Sequence, residues 1–302
     1  MAQNTFDARI AETYEEKWPE LFEPAVVDPA VDFLAGLAGS DAGPSGSDAA
    51  SSGPGPAPSG PGPASSGSGA ALEFGVGTGR LALPLSRRGV RVHGIDLSTA
   101  MIAQLRAKPG AERVGVTVGD FATTRVDGTF ALAYLVRNTI TNLTTQDEQV
   151  ECFRNAAAHL GPGGCFVIEV YVPELRRLPP GQTVHPFAVT PAHLGFEEYD
   201  VAAQLAVSHH YWTAGGQVEI YSSTHRYVWP AELDLMARLA GMALHERWAG
   251  WGASRSPARA GATSRSGGSP PRKVQQCSPV ACCRGRVSGR VGWDTLHTGR
   301  SV

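Results

Sequence analysis

The sequence predicts an α/β fold in which helices cover both faces of a parallel, doubly wound sheet. Between residues 70 and 170, short and continuously apolar stretches alternate with amphipathic ones. This alternation is typical of buried parallel strands and of the helices that connect them. The first apolar stretch runs into a turn with glycine at every second position, and the second ends in a carboxylate. Both features are typical of nucleoside sites in doubly wound folds.

Two helices and a linker precede the sheet. The apolar spacing predicts a helix over residues 7–18 and a second over 28–37, where an Asp-Pro pair starts the helix. Residues 1–37 therefore form an N-terminal helical cap, in which Tyr14 covers a ligand or packs in the core. Residues 38–69 contain only Gly, Pro, Ser and Ala apart from two Asp, which predicts a disordered linker insertion.

Five short apolar stretches supply the strands of the predicted sheet. These strands cover residues 70–74, 90–95, 114–118, 130–136 and 165–170. Amphipathic stretches between them predict helices that begin near residue 81 and cover 99–108 and 146–160. Ser98 caps the second of these helices, and Pro109-Gly110 follows its end.

The pattern changes to a period of two after the fifth strand. Residues 201–212 and 217–229 are joined through a Gly-Gly turn, which predicts an antiparallel hairpin that we place within residues 196–229. We expect this hairpin to act as a lid over a substrate. A helix over residues 231–241 and a strand over 243–248 follow it.

A glycine-rich turn connects the first strand to the first helix of the sheet region, and it runs from Glu73 to Arg80 in the sequence Glu-Phe-Gly-Val-Gly-Thr-Gly-Arg. Because Gly75, Gly77 and Gly79 lack Cβ atoms, a ligand can approach the backbone closely. A phosphate-binding loop presents a Lys or a bare helix N-terminus to the anion, whereas here a carboxylate precedes the glycines. The turn therefore favours an uncharged or positively charged nucleoside over a pyrophosphate.

Two further carboxylates end the next two strands. Asp96 ends the second strand, where an acid accepts hydrogen bonds from both ribose hydroxyls. Asp120 ends the third strand and precedes Phe121. This pair suits an adenine, because the carboxylate accepts from the exocyclic amine and the aromatic ring packs against the base.

The Glu-x-Gly-x-Gly-x-Gly turn, Asp96 and the stretch Gly119-Asp120-Phe121 resemble those of class I S-adenosylmethionine-dependent methyltransferases. The stretch from Arg80 to Trp251 is similar to an uncharacterised actinobacterial group with this core. The resemblance implies a Rossmann-like methyltransferase domain over residues 70–251, S-adenosylmethionine as cofactor and a small-molecule methyl acceptor.

The resemblance also implies roles for individual residues. The three glycines would face the methionine part of the cofactor, Asp96 the ribose, and Asp120 with Phe121 the adenine, while Glu73 would lie under the turn. The full cofactor-binding set that we expect is Glu73, Gly75, Gly77, Gly79, Arg80, Asp96, Leu97, Met101, Asp120, Phe121 and Val136.

Two other functions compete with an active methyltransferase. One is a paralogue that binds S-adenosylmethionine with impaired catalysis. The other is a nicotinamide-dependent oxidoreductase, whose fingerprint is G-x-G-x-x-G. The third glycine of this chain comes one residue too early for that fingerprint, and the Tyr-x-x-x-Lys pair of such enzymes is absent. A tight turn that binds no ligand explains only one of the three glycines.

Catalytic residues are less clearly marked. Methyl transfer is an in-line displacement that needs alignment and exclusion of water, and it needs a base only for a protonated acceptor. Asn138 either orients an acceptor or satisfies backbone groups, and His185, His209 and His210 are candidate bases or ordinary surface histidines. Arg137 stands where relatives more often carry an aromatic or apolar residue. A guanidinium there is unfavourable beside a sulfonium unless it points away or meets an acidic acceptor.

Composition limits the partners. The net charge is −2, but residues 1–251 carry −10 (17 basic and 27 acidic side chains) and residues 252–302 carry +8 (nine basic and one acidic). An acidic body argues against nucleic-acid binding. We expect no membrane segment and no metal site. The five cysteines form no disulfide framework, which predicts a cytoplasmic protein. We also expect a monomer or homodimer.

The residues from 252 onward break every pattern. They are rich in Ser, Arg, Gly and Pro, and they lack the Pro-Phe-Thr segment and final strand that the resembled group usually carries. Codons for residues 253–259 can be chosen that read Glu-Pro-Phe-Thr-Ser-Glu in a shifted frame. We therefore expect residues 252–302 to be a frameshifted, disordered tail and the sheet to lack its last strand. A basic nucleic-acid-binding tail is the alternative.

Overall fold

The computed structural model describes residues 6–39, 69–251 and 280–285. The helices are α1 Ala8–Lys17, α2 Pro24–Ala38, α3 Ala82–Arg87, α4 Thr99–Arg106, α5 Gln146–His159 and α6 Pro230–Leu239. The strands are β1 Ala70–Phe74, β2 Arg91–Asp96, β3 Gly115–Val118, β4 Phe130–Leu135, β5 Leu160–Glu169, β6 Val184–Val189, β7 His193–Asp200, β8 Leu205–Ala214, β9 Gln217–Arg226, β10 Met242–Trp248 and β11 Val280–Gly285.

A seven-stranded sheet forms the centre of the protein, in the order β10-β11-β5-β4-β1-β2-β3. Strands β1 to β5 pair with one another in parallel, and β5 pairs antiparallel with β11 on its other side. The chain moves outward from β1 to β3 and then returns to β4 on the other side of β1. This reversal opens a crevice at the carboxyl ends of β1 and β4, which is where doubly wound folds bind ligands. The predicted parallel, doubly wound sheet is confirmed.

Apolar side chains fill both faces of this sheet. One cluster joins α2 and α3 to the sheet through Leu34 and Leu85, and the other joins α5 and α6 through Phe153 and Met236. The helices begin where the sequence supplies caps, as at α5, where a Thr and a Glu form a capping box. Helix α2 begins earlier than expected, because Pro24 occupies its first position and Pro29 is accommodated inside it.

The expected antiparallel hairpin is confirmed as β8 and β9, but it belongs to a four-stranded sheet in the order β6-β7-β8-β9. The sequence pattern did not reveal β6 and β7, because Pro186 and Gly195 interrupt the alternation. A Cβ at Gly195 would meet the Phe187 ring on the neighbouring strand, so any larger residue there would displace that ring. This second sheet lies against the N-terminal cap, where Lys17 pairs with Glu219 at 2.8 Å.

The expectation that the last strand of the sheet is lost is wrong. Strand β11 lies antiparallel between β5 and β10, and Cys283 is 2% exposed in the core. Short apolar residues at 280–283 suffice to complete the backbone ladder, which depends little on side-chain identity. The frameshift itself stays a prediction that resequencing the gene tests, and the rest of residues 252–302 lies outside the described residues.

Other expectations fall partly on undescribed residues. Most of the expected linker, residues 40–68, lies outside the described ranges, and the amide of Gly69 donates to the carbonyl of Ala38 across it at 2.8 Å. Cys165 is disulfide-bonded, which corrects the expectation of cysteines without a bridge, whereas Cys152 and Cys283 are free. No described helix has the length and apolar character to cross a membrane.

Candidate cofactor site

A cleft opens at the carboxyl ends of β1, β2 and β4. It encloses about 950 Å³ when its open mouth is counted. Ten of the eleven residues predicted to hold the cofactor line this cleft. They are Glu73, Gly75, Gly77, Arg80, Asp96, Leu97, Met101, Asp120, Phe121 and Val136.

The glycine turn forms the floor of the cleft. Gly75 and Gly77 have φ angles of 69° and 52°, which side chains with a Cβ rarely adopt. The amide of Gly75 donates to the carbonyl of Ile95 at 2.8 Å, and this bond ties the turn to β2. Gly79 is not among the described residues that line the cleft, and its expected contact with the ligand stays a prediction. A Cβ there would lie 2.9 Å from Leu105 Cγ, so this glycine allows the turn to pack closely against α4.

Asp96 sits at the tip of β2 with a fixed orientation. Its Oδ2 accepts from the amide of Gly77 at 2.7 Å, and its Oδ1 accepts from the amide of Ser98 at 2.9 Å. Burial raises the pKa of Asp96, and these backbone hydrogen bonds oppose the rise. Each carboxylate oxygen keeps a second lone pair, so the side chain can accept from two neighbouring hydroxyl groups.

Asp120 and Phe121 form the far wall. The Asp120 Oδ1 accepts from the amide of Ala122 at 2.9 Å, while the Phe121 ring stacks on Phe74 with centroids 6.1 Å apart. The order of carboxylate and ring after β3 therefore places a hydrogen-bond acceptor beside an apolar surface. This wall suits a flat heterocycle that carries a donor on its edge.

Glu73 lies beneath the turn and is 3% exposed. Tyr134, directly opposite on β4, donates its hydroxyl to Glu73 Oε2 at 2.9 Å. Burial raises the pKa of Glu73 to about 8 against the opposing effects of Tyr134 and Arg80. Tyr134 was not predicted as a site residue. The sequence indicates it only as a single tyrosine in an otherwise apolar strand.

The N-terminal cap closes one side of the cleft. Phe6 and Tyr14 line the cleft, and their rings meet edge to face with centroids 6.0 Å apart. The hydroxyl of Ser98 donates to the carbonyl of Phe6, and Lys108 bonds both Glu15 and the glycine turn. Tyr14 therefore lies where a covering residue would lie, and the covering role, one of the two left open from the sequence, stays a prediction.

The loop after β4 forms the other side. Arg137 and Asn138 both adopt positive φ angles, 58° and 60°, a conformation that costs non-glycine residues energy. Glu169 holds this loop, because its Oε2 accepts from the amide of Arg137 at 2.7 Å and its Oε1 accepts from Trp251 Nε1 at 2.7 Å. Asn138 does not line the cleft; its Oδ1 accepts from the amide of Tyr171 at 2.9 Å. It satisfies the backbone rather than facing an acceptor.

The three candidate histidine bases do not line the cleft either. His185 lies in β6, and His209 and His210 lie in β8. Nδ1 of His209 bonds the Ser222 hydroxyl at 2.9 Å, and Nδ1 of His210 bonds Nε2 of His193 at 3.0 Å. The two adjacent histidines point to opposite faces of the sheet, as the alternation of a strand requires. None of the described side chains forms a group of three or more metal ligands.

Comparisons with known proteins agree with this geometry. A model of the methyltransferase domain family matches residues 71–164. The cypemycin N-terminal methyltransferase of Streptomyces is 28% identical over 176 residues, which cover 57% of this chain and 71% of that protein. The CcbJ methyltransferase of Streptomyces caelestis is 30% identical with a TM-score of 0.67, over 93% of this chain and 98% of that one.

A third comparison concerns the fold. DesVI of Streptomyces venezuelae is 14% identical with a TM-score of 0.59, over 92% of this chain and 98% of that one, so it shares the architecture. Together with the glycine turn and the carboxylate at the tip of β2, the similarity to CcbJ settles the family. The chain belongs to the class I S-adenosylmethionine-dependent methyltransferases, and its cofactor is S-adenosylmethionine.

Proposed function

We propose that this protein transfers the methyl group of S-adenosylmethionine to a small-molecule acceptor, at an amine nitrogen. The observation that carries the proposal is the Asp96 carboxylate, which two backbone amides orient within a cleft floored by glycine. In this proposal Asp96 binds the ribose, Asp120 and Phe121 bind the adenine, and Gly75 and Gly77 contact the methionine part.

The polar side chains of the cleft suit the cofactor. Carboxylates that accept from hydroxyl and amine groups lie in the order that an adenosine needs. Thr78 lines the cleft, and its buried hydroxyl lacks a hydrogen-bond partner among the described residues. We assign Arg80 to the cofactor carboxylate, because the guanidinium is the usual partner of that group.

The cofactor supplies an electrophilic methyl group on a sulfonium. The protein has to align an acceptor lone pair behind that methyl and exclude water. Phe6 and Tyr14 on one side and the loop at Arg137 on the other leave an open mouth through which an acceptor enters. A neutral amine needs no strong base for attack, because its proton leaves to solvent after transfer. The cypemycin relative is an N-terminal methyltransferase, which supports nitrogen as the acceptor atom.

Calorimetric titration tests the cofactor assignment. S-adenosylmethionine and its demethylated product should bind, and NAD should not. Asp96→Ala should weaken binding about a hundredfold, since each hydrogen bond to a charged group contributes about 1.5–3 kcal/mol. Asp127→Ala, an exposed aspartate outside the cleft, is the matched control and should leave affinity unchanged. Unaltered affinity in Asp96→Ala would contradict the ribose assignment.

Turnover tests the acceptor. Donor with a labelled methyl group is incubated with the protein and fractions of a metabolite extract, and the product is digested to locate the label on nitrogen, oxygen or carbon. Label on nitrogen supports the proposal. Tight cofactor binding with no transfer to any fraction contradicts it and favours a paralogue with impaired catalysis.

A further inference from the structure

Arg137 lies at the mouth of the cleft, where neighbouring residues hold its backbone in place. Its peptide amide is bound to Glu169 Oε2 at 2.7 Å, and the next amide along the chain is bound to the Glu169 carbonyl at 3.2 Å. Asn138 anchors the other end of the loop to the amide of Tyr171. Two consecutive residues are thereby held at positive φ, and such strain persists only where the surroundings impose it. The loop is therefore fixed before a substrate arrives.

The guanidinium of Arg137 has no anionic partner within the described part of the chain. The hydrogen bond to Glu169 uses its main-chain amide, and its side chain is exposed while the residue lines the cleft. Its charge lies near enough to Arg80 to lower the pKa of that group. Arg80, by contrast, has the Glu169 carboxylate nearby, in addition to the buried Glu73 side chain.

A positive charge at this place works against the bound cofactor. The sulfonium is itself a cation, and like charges in a cleft repel more strongly than in open water. With Arg80 assigned to the cofactor carboxylate, Arg137 is the cation that the described lining still offers to a second anion. An acceptor with a negative group would cancel the repulsion at the moment when the ternary complex forms.

Resting on the proposed function, we propose that Arg137 selects the methyl acceptor by binding a carboxylate on it, so that the substrates are small amines that also carry a carboxylate. A guanidinium binds a carboxylate through two parallel hydrogen bonds, which would fix the amine of such a molecule relative to the sulfonium. Asn142 lines the same cleft and adds an amide to the polar groups that an acidic acceptor meets.

The test uses the full chain and a metabolite extract separated by ion exchange into anionic, zwitterionic, neutral and cationic pools. Labelled methyl should enter molecules of the anionic or zwitterionic pools. Treating those pools with acidic methanol esterifies carboxylates and leaves amines intact, and it should reduce labelling by the wild type at least tenfold. Label confined to the neutral or cationic pools, or unaffected by esterification, overturns the inference while leaving the proposed function standing.

Variants separate recognition from damage. Arg137→Met should lower transfer to the carboxylate-bearing pools at least tenfold, keep the affinity for S-adenosylmethionine within about twofold, and lose its preference for untreated over esterified acceptors. Arg113→Met, an exposed arginine outside the cleft, should behave like the wild type. An Arg137→Met protein that keeps the wild-type preference contradicts the inference. A wild-type protein that transfers no methyl group to any pool contradicts the proposed function itself.

Discussion

At the scale of single residues, the site contains three carboxyl groups, those of Glu73, Asp96 and Asp120, which differ in their hydrogen-bond partners and burial. Asp96 is bound by two amides and Asp120 by one, so both are oriented acceptors. Glu73 instead receives a phenol hydroxyl in a buried position beneath the turn, and its pKa rises to about 8 because of burial. Below that pH it holds a proton and adds no charge beneath the turn.

The Glu73 proton makes stability depend on pH. Because the folded pKa of about 8 exceeds the reference value of 4.5, the folded state holds the proton more tightly. The free energy of unfolding should therefore fall as pH rises from about 4.5 to 8, by at most about 5 kcal/mol at about 1.4 kcal/mol per pKa unit. Urea unfolding between pH 5 and 9 measures this slope.

Glu73→Gln is the matched variant for that slope. The amide keeps an acceptor for the Tyr134 hydroxyl but cannot ionise, so its unfolding energy should vary less with pH over the same window. Equal slopes in the two proteins would show that other groups control the dependence. S-adenosylmethionine should also be omitted from both series, since bound ligand stabilises the folded state.

At the scale of elements, α1 connects the two halves of the protein. Its Tyr14 lines the cleft, while Trp18, just after its end, contacts His210 and Trp212 of β8 edge to face at 6.3 and 6.2 Å. Lys17 adds a pair with Glu219 of β9. The second sheet therefore supports the helix that covers the cofactor. The sequence predicted both the helix and the hairpin but gave no sign that they meet.

Trp18→Ala should loosen α1, because the Trp18 ring packs on Tyr14 at 5.1 Å as well as on β8. Aromatic pairs of this geometry contribute about 0.5–1.5 kcal/mol beyond burial, so we expect faster hydrogen exchange of the α1 amides and a Kd for S-adenosylmethionine raised about threefold to tenfold. Trp229→Ala, whose ring packs on Tyr227 at 5.8 Å, is the control. If the two variants exchange alike at residues 8–17, the second sheet does not hold the cap.

At the scale of the whole molecule, the central sheet is completed from a distant part of the chain. Strand β11 pairs with both β5 and β10 and so covers two edges that would otherwise offer free backbone groups. Burial, followed by the nearby Asp234, raises the pKa of Cys283 to about 12. This thiol is therefore a neutral, buried group of the core.

Cys283→Asp tests whether β11 is part of the fold. A carboxylate buried beside Asp234, whose partner Arg247 is already engaged, should destabilise the protein by about 3 kcal/mol or more, seen as a lower urea midpoint. Cys283→Ala removes one sulfur atom and should cost about 1 kcal/mol or less. Comparable stability of the wild type and both variants would mean that residues 280–285 do not occupy the sheet.

The sequence by itself determined the parallel sheet, the glycine turn and the strand-end acids, because these depend on local apolar pattern, on backbone freedom at Gly75 and Gly77, and on the order of Asp96 and Asp120 along the chain. Ten of the eleven residues predicted from it line one cleft. Their contact with the cofactor stays a prediction.

Only the tertiary structure decided what depends on distant segments meeting. Tyr134 reaches Glu73 because β4 is the spatial neighbour of β1, and Glu169 fixes Arg137 because β5 ends beside that loop. In the structure, Gly79, Asn138 and the three candidate histidines do not line the cleft. The structure also contains β11, the last strand of the sheet, which the composition of residues 252–302 did not predict. Backbone pairing accepts many sequences, so neither periodicity nor composition could have shown where β11 lies.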